Sequence, residues 1–210
     1  MSILKLDQID YTYKGAGAKV LDNVNYEFEK GKFYAILGAS GAGKSTMLSL
    51  LAGLDAPTAG TVRFDGEDIA KKGYSYHRKH QISLVFQNYN LIDYLTPLEN
   101  LRLVNSKAST EMLEKLGLDA KEAKRNVLLL SGGQQQRVAI GRALVSQAPV
   151  ILADEPTGNL DETTAAGVTE ILQKAAHEEG KCVIVVTHSK ELARNADVTL
   201  RLQRRKLVEL

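Results

Sequence analysis

Hydrophobic residues follow two patterns along the chain. From Ile3 to Ile9 and from Val20 to Phe28 they alternate with polar residues, which predicts half-buried strands of an antiparallel N-terminal sheet. Phe33–Leu37, Val150–Ala153 and Cys182–Val186 are instead short unbroken apolar runs, as expected of strands covered on both faces in a parallel sheet. A glycine-rich turn and a helical stretch (Lys44–Leu51) follow the first run, and an acidic turn and another helical stretch (Asp161–Ala176) follow the second. Strand, turn and helix in alternation predict an α/β fold with a parallel sheet.

Residues 97–124 differ. They are rich in Leu, Glu, Lys and Ala at helical spacing, with Met112, Leu113, Leu116 and Leu118 on the apolar side and no strong strand between them. Residues 88–135 are therefore expected to form a small helical subdomain inserted in the core of a single domain spanning 1–210.

Composition narrows the class. With 27 Lys and Arg against 25 Asp and Glu, the balance of +2 leaves no electrostatic footprint for nucleic acid. One cysteine, Cys182, rules out an internal disulfide and a multi-cysteine metal site. Its apolar run makes it a small buried hydrophobe rather than a reactive thiol. No secretory signal is visible at the start, and no apolar stretch nears the ~18 residues of a membrane span, so membrane contact is expected only through a partner.

Two segments carry the chemistry. Gly38, Ala39, Ser40, Gly41, Ala42, Gly43, Lys44, Ser45 and Thr46 fit G-x-x-x-x-G-K-[ST], placed after a buried strand and opening a helix. Glycines let backbone amides converge on phosphate oxygens, and the helix start adds unpaired N–H groups. Lys44 is expected on the β- and γ-phosphates of a nucleotide and the Ser45 hydroxyl on Mg²⁺. The strand Val150–Ala153 ends in Asp154 and Glu155; beside the phosphate loop, Asp154 would hold Mg²⁺ and Glu155 would act on the attacking water. Ser131, Gly132, Gly133 and Gln134 precede an amphipathic stretch and form a second candidate anion site.

With Leu130-Ser-Gly-Gly-Gln134 in place, the chain resembles the ATP-binding cassette (ABC) ATPases over essentially its whole length and in the right order. The resemblance implies a P-loop core with an antiparallel β subdomain and an inserted helical one, and it adds residues that spacing alone does not single out. Tyr13, 25 positions before Gly38, matches the aromatic that stacks on adenine, with Tyr11 a near alternative. Gln87 matches the loop glutamine that touches Mg²⁺ and couples to the membrane partner, and His188 the switch histidine at the γ-phosphate. The implied catalytic set is Glu155, His188, Lys44 and Gln87, and the implied metal set Ser45, Gln87 and Asp154. Gly158–Asp161 looks like the loop across the dimer interface, although Asp161 also suits a helix cap.

The resemblance further implies ATP and Mg²⁺ as cofactors and head-to-tail homodimerisation on ATP. Transmembrane permease subunits are the implied partners, at the cytoplasmic face of the cell membrane. Asp154–Asp161 and the triple Gln134–Gln136 look most like the lipoprotein-release, macrolide-export and antimicrobial-peptide group. The stretch from Gln87 to Ser131 is short for that group. DNA-maintenance or translation cassettes are the competing class, but long heptads, cysteine clusters and a second cassette are all missing. His77, His80 and His177 are expected on the surface, and Arg201, Arg204, Arg205 and Lys206 as a solvated basic tail.

Overall fold

In the computed structural model, which describes residues 2–210, two sheets face each other. The first contains β1 (Ser2–Tyr11), β2 (Leu21–Glu29), β4 (Ala59–Phe64) and β5 (Glu67–Asp68), all antiparallel, in the order β2-β1-β4-β5. The second contains β3 (Phe33–Leu37), β6 (Ile82–Val85), β7 (Val150–Asp154), β8 (Cys182–Thr187), β9 (Val198–Gln203) and β10 (Lys206–Glu209), in the order β10-β9-β3-β8-β7-β6. Its strands are parallel except for the β9–β10 hairpin.

The unbroken apolar runs follow from burial on both faces. Tyr34, Ile36, Leu152, Ile184 and Val186 pack with the antiparallel sheet and with helix α1 (Lys44–Leu51). Their neighbours Phe33, Ala35, Ile151, Ala153, Val183 and Val185 point to the opposite core. There they meet α6 (Gly132–Leu144), α7 (Glu162–His177) and α8 (Lys190–Arg194). Cys182 is fully buried in the first core, where burial pushes its thiol up to about 12.

The stretch between β6 and β7 is helical, but in short pieces. It holds α4 (Pro97–Arg102), α5 (Thr110–Lys115) and 3₁₀ turns at Glu122–Lys124 and Val127–Leu129. Thr96 and Glu99 close a capping box that starts α4, and Gly117, at φ +75°, follows the end of α5. Leu101, Leu113, Leu116 and Leu118 are buried in the same core as the central strands, so these helices lean on the sheet rather than on a core of their own.

Two expectations are corrected. His77 is buried, on α3 (Tyr74–His80) after the short α2 (Ile69–Lys72). Its Nε2 lies 2.9 Å from the Leu51 carbonyl oxygen and its Nδ1 2.7 Å from Gln81 Oε1. The carbonyl left over at the end of α1 gives this imidazole a partner inside, which offsets the cost of burying it. The basic C-terminal cluster is solvated, as expected, but it is part of a hairpin and not a tail. Arg204 and Arg205, at φ +47° and +67°, form the tight turn of the β9–β10 hairpin, and Asp22 N–H donates to the Arg205 carbonyl.

Candidate active site

The carboxyl ends of four neighbouring parallel strands meet at one edge of the second sheet. β3 runs into Gly38, β8 into His188, β7 ends in Asp154, and β6 leads to Gln87. Such an edge is where open parallel sheets hold ligands. The cavity there is lined by Tyr13, Val20, Ser40, Gly41, Gly43, Lys44, Ser45, Thr46, Gln87, Asp154 and Glu155.

Gly43 shapes the loop. Its φ is +99°, and a Cβ at this position would sit 2.7 Å from Val20 Cγ1, so both backbone angle and space call for glycine. As the N-cap of α1, Gly43 offers no side chain to the first-turn amides, which are left for an external acceptor. Lys44 Nζ bends over the loop and donates to the carbonyls of Gly38 at 2.8 Å and Ala39 at 3.2 Å.

Asp154 stands beside Ser45 on the wall of the cavity. Burial pushes its carboxyl above the usual range and neighbouring Glu155 adds to this, against the opposing pull of Ser45 and Lys44. A hydroxyl, a carboxylate and the Gln87 amide give hard oxygen donors. No group of three His, Cys, Asp or Glu among the described residues could cage a metal. The hydroxyl, carboxylate and amide oxygens of Ser45, Asp154 and Gln87 fit a small hard cation such as Mg²⁺, which takes one or two carboxylates and completes its shell with phosphate and water.

Glu155 sits at φ +46°, a left-handed angle uncommon outside glycine, with its N–H donating to Val186 O at 2.9 Å. This bend turns the carboxylate towards the end of β8. Oε2 accepts from Thr187 Oγ1 at 3.0 Å and from His188 N–H at 3.2 Å, and Oε1 lies 2.9 Å from His188 Nδ1. Thr187 is the residue the sequence reading missed. Its signal is a hydroxyl closing a buried strand directly before the candidate histidine.

Tyr13 is half-exposed at the cavity rim, its hydroxyl 2.6 Å from Thr46 Oγ1. Tyr11 is buried, packs edge-on against Tyr13 and donates to Asp55, so its ring presents no free face. Ser131, Gly132, Gly133 and Gln134 do not line this cavity. They start α6, where Ser131 Oγ accepts from Gln134 N–H at 3.3 Å and Gln134 Oε1 from Ser131 N–H at 2.9 Å. Asp161 caps α7 through the Thr164 N–H at 3.0 Å.

Residues 21–158 match the family model described as ABC transporter. The chain belongs to the ABC transporter family. It is an ATP-binding subunit of that family, an ATPase cassette. The cassette is 45% identical to the uncharacterized ABC transporter ATP-binding protein YclH of Bacillus subtilis, over 97% of this chain and 95% of the relative. It is 41% identical to the lipoprotein-releasing system ATP-binding protein LolD of Geobacter metallireducens, over 94% and 95%. Among solved structures it superposes at TM-score 0.87 and 37% identity on the dimeric, post-hydrolysis cassette MJ0796 of Methanocaldococcus jannaschii, bound to ADP and Pi, covering 99% of this chain and 98% of that one. No helix among the described residues is long and apolar enough to cross a membrane.

Proposed function

We propose that this cassette hydrolyses MgATP between two copies of itself and passes the resulting motion to a membrane permease. The observation that carries the chemistry is the gathering of Lys44, Ser45, Gln87, Asp154 and Glu155 around one cavity at the strand ends. Phosphate oxygens would accept from Lys44 and the free amides of α1, while Tyr13 at the rim offers a ring to the adenine. Ser45, Gln87 and Asp154 would hold Mg²⁺, which when bound supplies charge neutralisation on the β- and γ-phosphates. Glu155, aimed by Thr187 and His188, accepts the proton of the attacking water, and His188 follows the charge at the γ-phosphate.

Ser131–Gln134 stand apart from the phosphate cavity of their own chain, which supports a role in gripping nucleotide held by a second copy. The cassette MJ0796, dimeric and bound to ADP and Pi, is a relative that pairs in this nucleotide state. The likeness to LolD supports a place in the lipoprotein-release and export group, with the cassette held at the cytoplasmic face of the cell membrane by its permease. Affinity purification from membranes tests the partnership: a multi-span protein co-purifying with the wild type is expected, and an ATPase recovered without one counts against a transport role.

A further inference from the structure

Two tyrosines, at the end of β1 and just past it, are tied to opposite ends of α1. The Tyr13 hydroxyl lies 2.6 Å from Thr46 Oγ1, in the first turn of that helix. Tyr11, two residues earlier, donates its hydroxyl to Asp55, in the loop beyond the last turn. The two rings meet at right angles, with centroids 5.0 Å apart and planes at 88°, an edge-to-face arrangement that aromatic pairs favour.

Asp55 is itself fixed. Its Oδ1 accepts from the Ala56 N–H at 2.8 Å, and its Oδ2 meets Tyr11. The same loop is fastened to β1, where the Asp10 carbonyl accepts from the N–H and the hydroxyl of Thr58, each at 2.9 Å. The Tyr11 carbonyl accepts from Val20 N–H at 2.7 Å and the Tyr13 carbonyl from Ala16 N–H at 3.0 Å, so the backbone that carries both rings is closed into a turn. Exposure divides the pair. Tyr11 is packed in the core shared by the antiparallel sheet and α1, whereas Tyr13 is 50% exposed at the cavity rim. An exposed tyrosine turns between rotamers, and a ligand that stacks on it must stop that motion at a cost in affinity. Here the motion is stopped beforehand, by Tyr11 at the ring and by Thr46 at the hydroxyl. Thr46 directly follows Ser45, so the position of the ring is set against the phosphate loop.

We infer that Tyr11 is a positioning residue for the nucleotide base: locked by Asp55, it holds the Tyr13 ring in place over the phosphate loop before nucleotide binds. Tyr11 acts through Tyr13 alone. This rests on the reading above in which Tyr13 offers its ring to the adenine.

The test compares MgATP with inorganic tripolyphosphate, which has the phosphates and no base, by calorimetric titration of the full chain. Tyr11→Phe keeps the ring and the core volume and removes the tie to Asp55. It is expected to weaken MgATP binding about fivefold, the worth of one pre-ordered side chain, and to leave tripolyphosphate binding as in the wild type. KM for ATP should rise by the same factor with kcat unchanged, because the loss is one of uniform binding. Asp55→Ala removes the same tie from an exposed position without touching the core, so it should reproduce the result in a second folded variant. In a Tyr13→Ala background neither change should weaken MgATP binding further. Wild-type MgATP affinity in both variants, an equal loss for tripolyphosphate, or a loss that persists without Tyr13 overturns the positioning role while leaving Tyr13 as the stacking ring. Wild-type MgATP affinity in Tyr13→Ala alone removes the stacking reading itself, and the inference falls with it.

Discussion

Glu155 and His188 are joined twice. Oε1 of the carboxylate lies 2.9 Å from the Nδ1 of the ring, and Oε2 accepts from the His188 backbone N–H at 3.2 Å. The ring lies against one carboxylate oxygen while the backbone N–H donates to the other, so ring and carboxylate are held side by side at the strand end. The hydroxyl of Thr187, 3.0 Å from Oε2, completes a clamp built from the end of β8.

Glu155→Gln keeps the shape of that side chain and removes its charge. Turnover should fall by about 10²–10⁴, the usual worth of a general base, while MgATP still binds through Lys44, Ser45 and Asp154. Blocked hydrolysis should leave ATP bridging two chains. Size-exclusion with mass detection should then show a species near twice 22.9 kDa with ATP and mostly monomer without it. Turnover at the wild-type rate would take Glu155 out of the catalytic role.

Lys44 donates to two loop carbonyls, Gly38 O and Ala39 O, which phosphate oxygens can replace with a stronger, charge-assisted contact. Lys44→Ala should weaken ATP binding by about 1.5–3 kcal/mol, roughly ten- to a hundredfold in Kd, and abolish turnover. Melting should change little, because the ammonium supports the loop and not the core. Calorimetric titration showing wild-type affinity would contradict the phosphate-loop reading.

Asp154 gives a pH dependence with a definite sign. Its carboxyl is raised by burial and by Glu155, and only the ionised form binds a cation. The apparent Mg²⁺ affinity should therefore be full above the raised value and fall as pH drops through it, beginning at a higher pH than for an ordinary aspartate. Asp154→Asn should remove this dependence together with most of the affinity. A Mg²⁺ affinity and pH profile left unchanged by Asp154→Asn would show that Asp154 is not a ligand.

The chemistry-bearing strands are legible in the sequence because burial on both faces demands unbroken apolar runs. Phe33–Leu37, Val150–Ala153 and Cys182–Val186 became β3, β7 and β8, and their ends gather Lys44, Asp154, Glu155 and His188. What the sequence hides are partners supplied by distant backbone. His77 lies in a polar-looking stretch, and one of the two partners that let it be buried is the Leu51 carbonyl, 26 residues away. Arg142 reads as one more basic residue on an amphipathic helix until the bend at Tyr89 and Asn90 presents two carbonyls to it. The basic cluster Arg201–Lys206 likewise looks like a tail, because the pairing of β9 with β3 is a long-range event with no local signature.

Acid stability should depend on Asp197. Burial pushes its carboxyl up, but the Phe33 N–H at 2.7 Å, His177 and Lys32 more than offset this and hold it below the usual range. The folded value thus lies under the unfolded one. The stabilisation is present in full above the unfolded value of about 3.9 and is lost as pH falls through the folded one. Asp197→Asn should lower the melting temperature at neutral pH and flatten the acid limb of a melting-temperature profile. Parallel acid limbs in the two proteins would rule Asp197 out as their source.

Ser131 has a structural task and a proposed functional one, and two substitutions separate them. Its hydroxyl caps α6 by accepting from Gln134 N–H, so Ser131→Ala should cost about 1 kcal/mol of stability. Aspartate caps a helix as well as serine does, so Ser131→Asp should melt near the wild type. Its charge, however, would face the triply charged phosphates of an ATP held by the other chain, and like charges at close range oppose association. In the Glu155→Gln background, Ser131→Asp should therefore abolish the ATP-dependent dimer while preserving the fold, whereas Ser131→Ala should weaken the dimer only partly. ATP binding to the single chain should survive both changes, because Ser131 does not line the cavity around Lys44. A dimer that forms equally well with aspartate at this position would mean that the α6 N-terminus does not meet the partner's nucleotide, and the shared site would have to be abandoned.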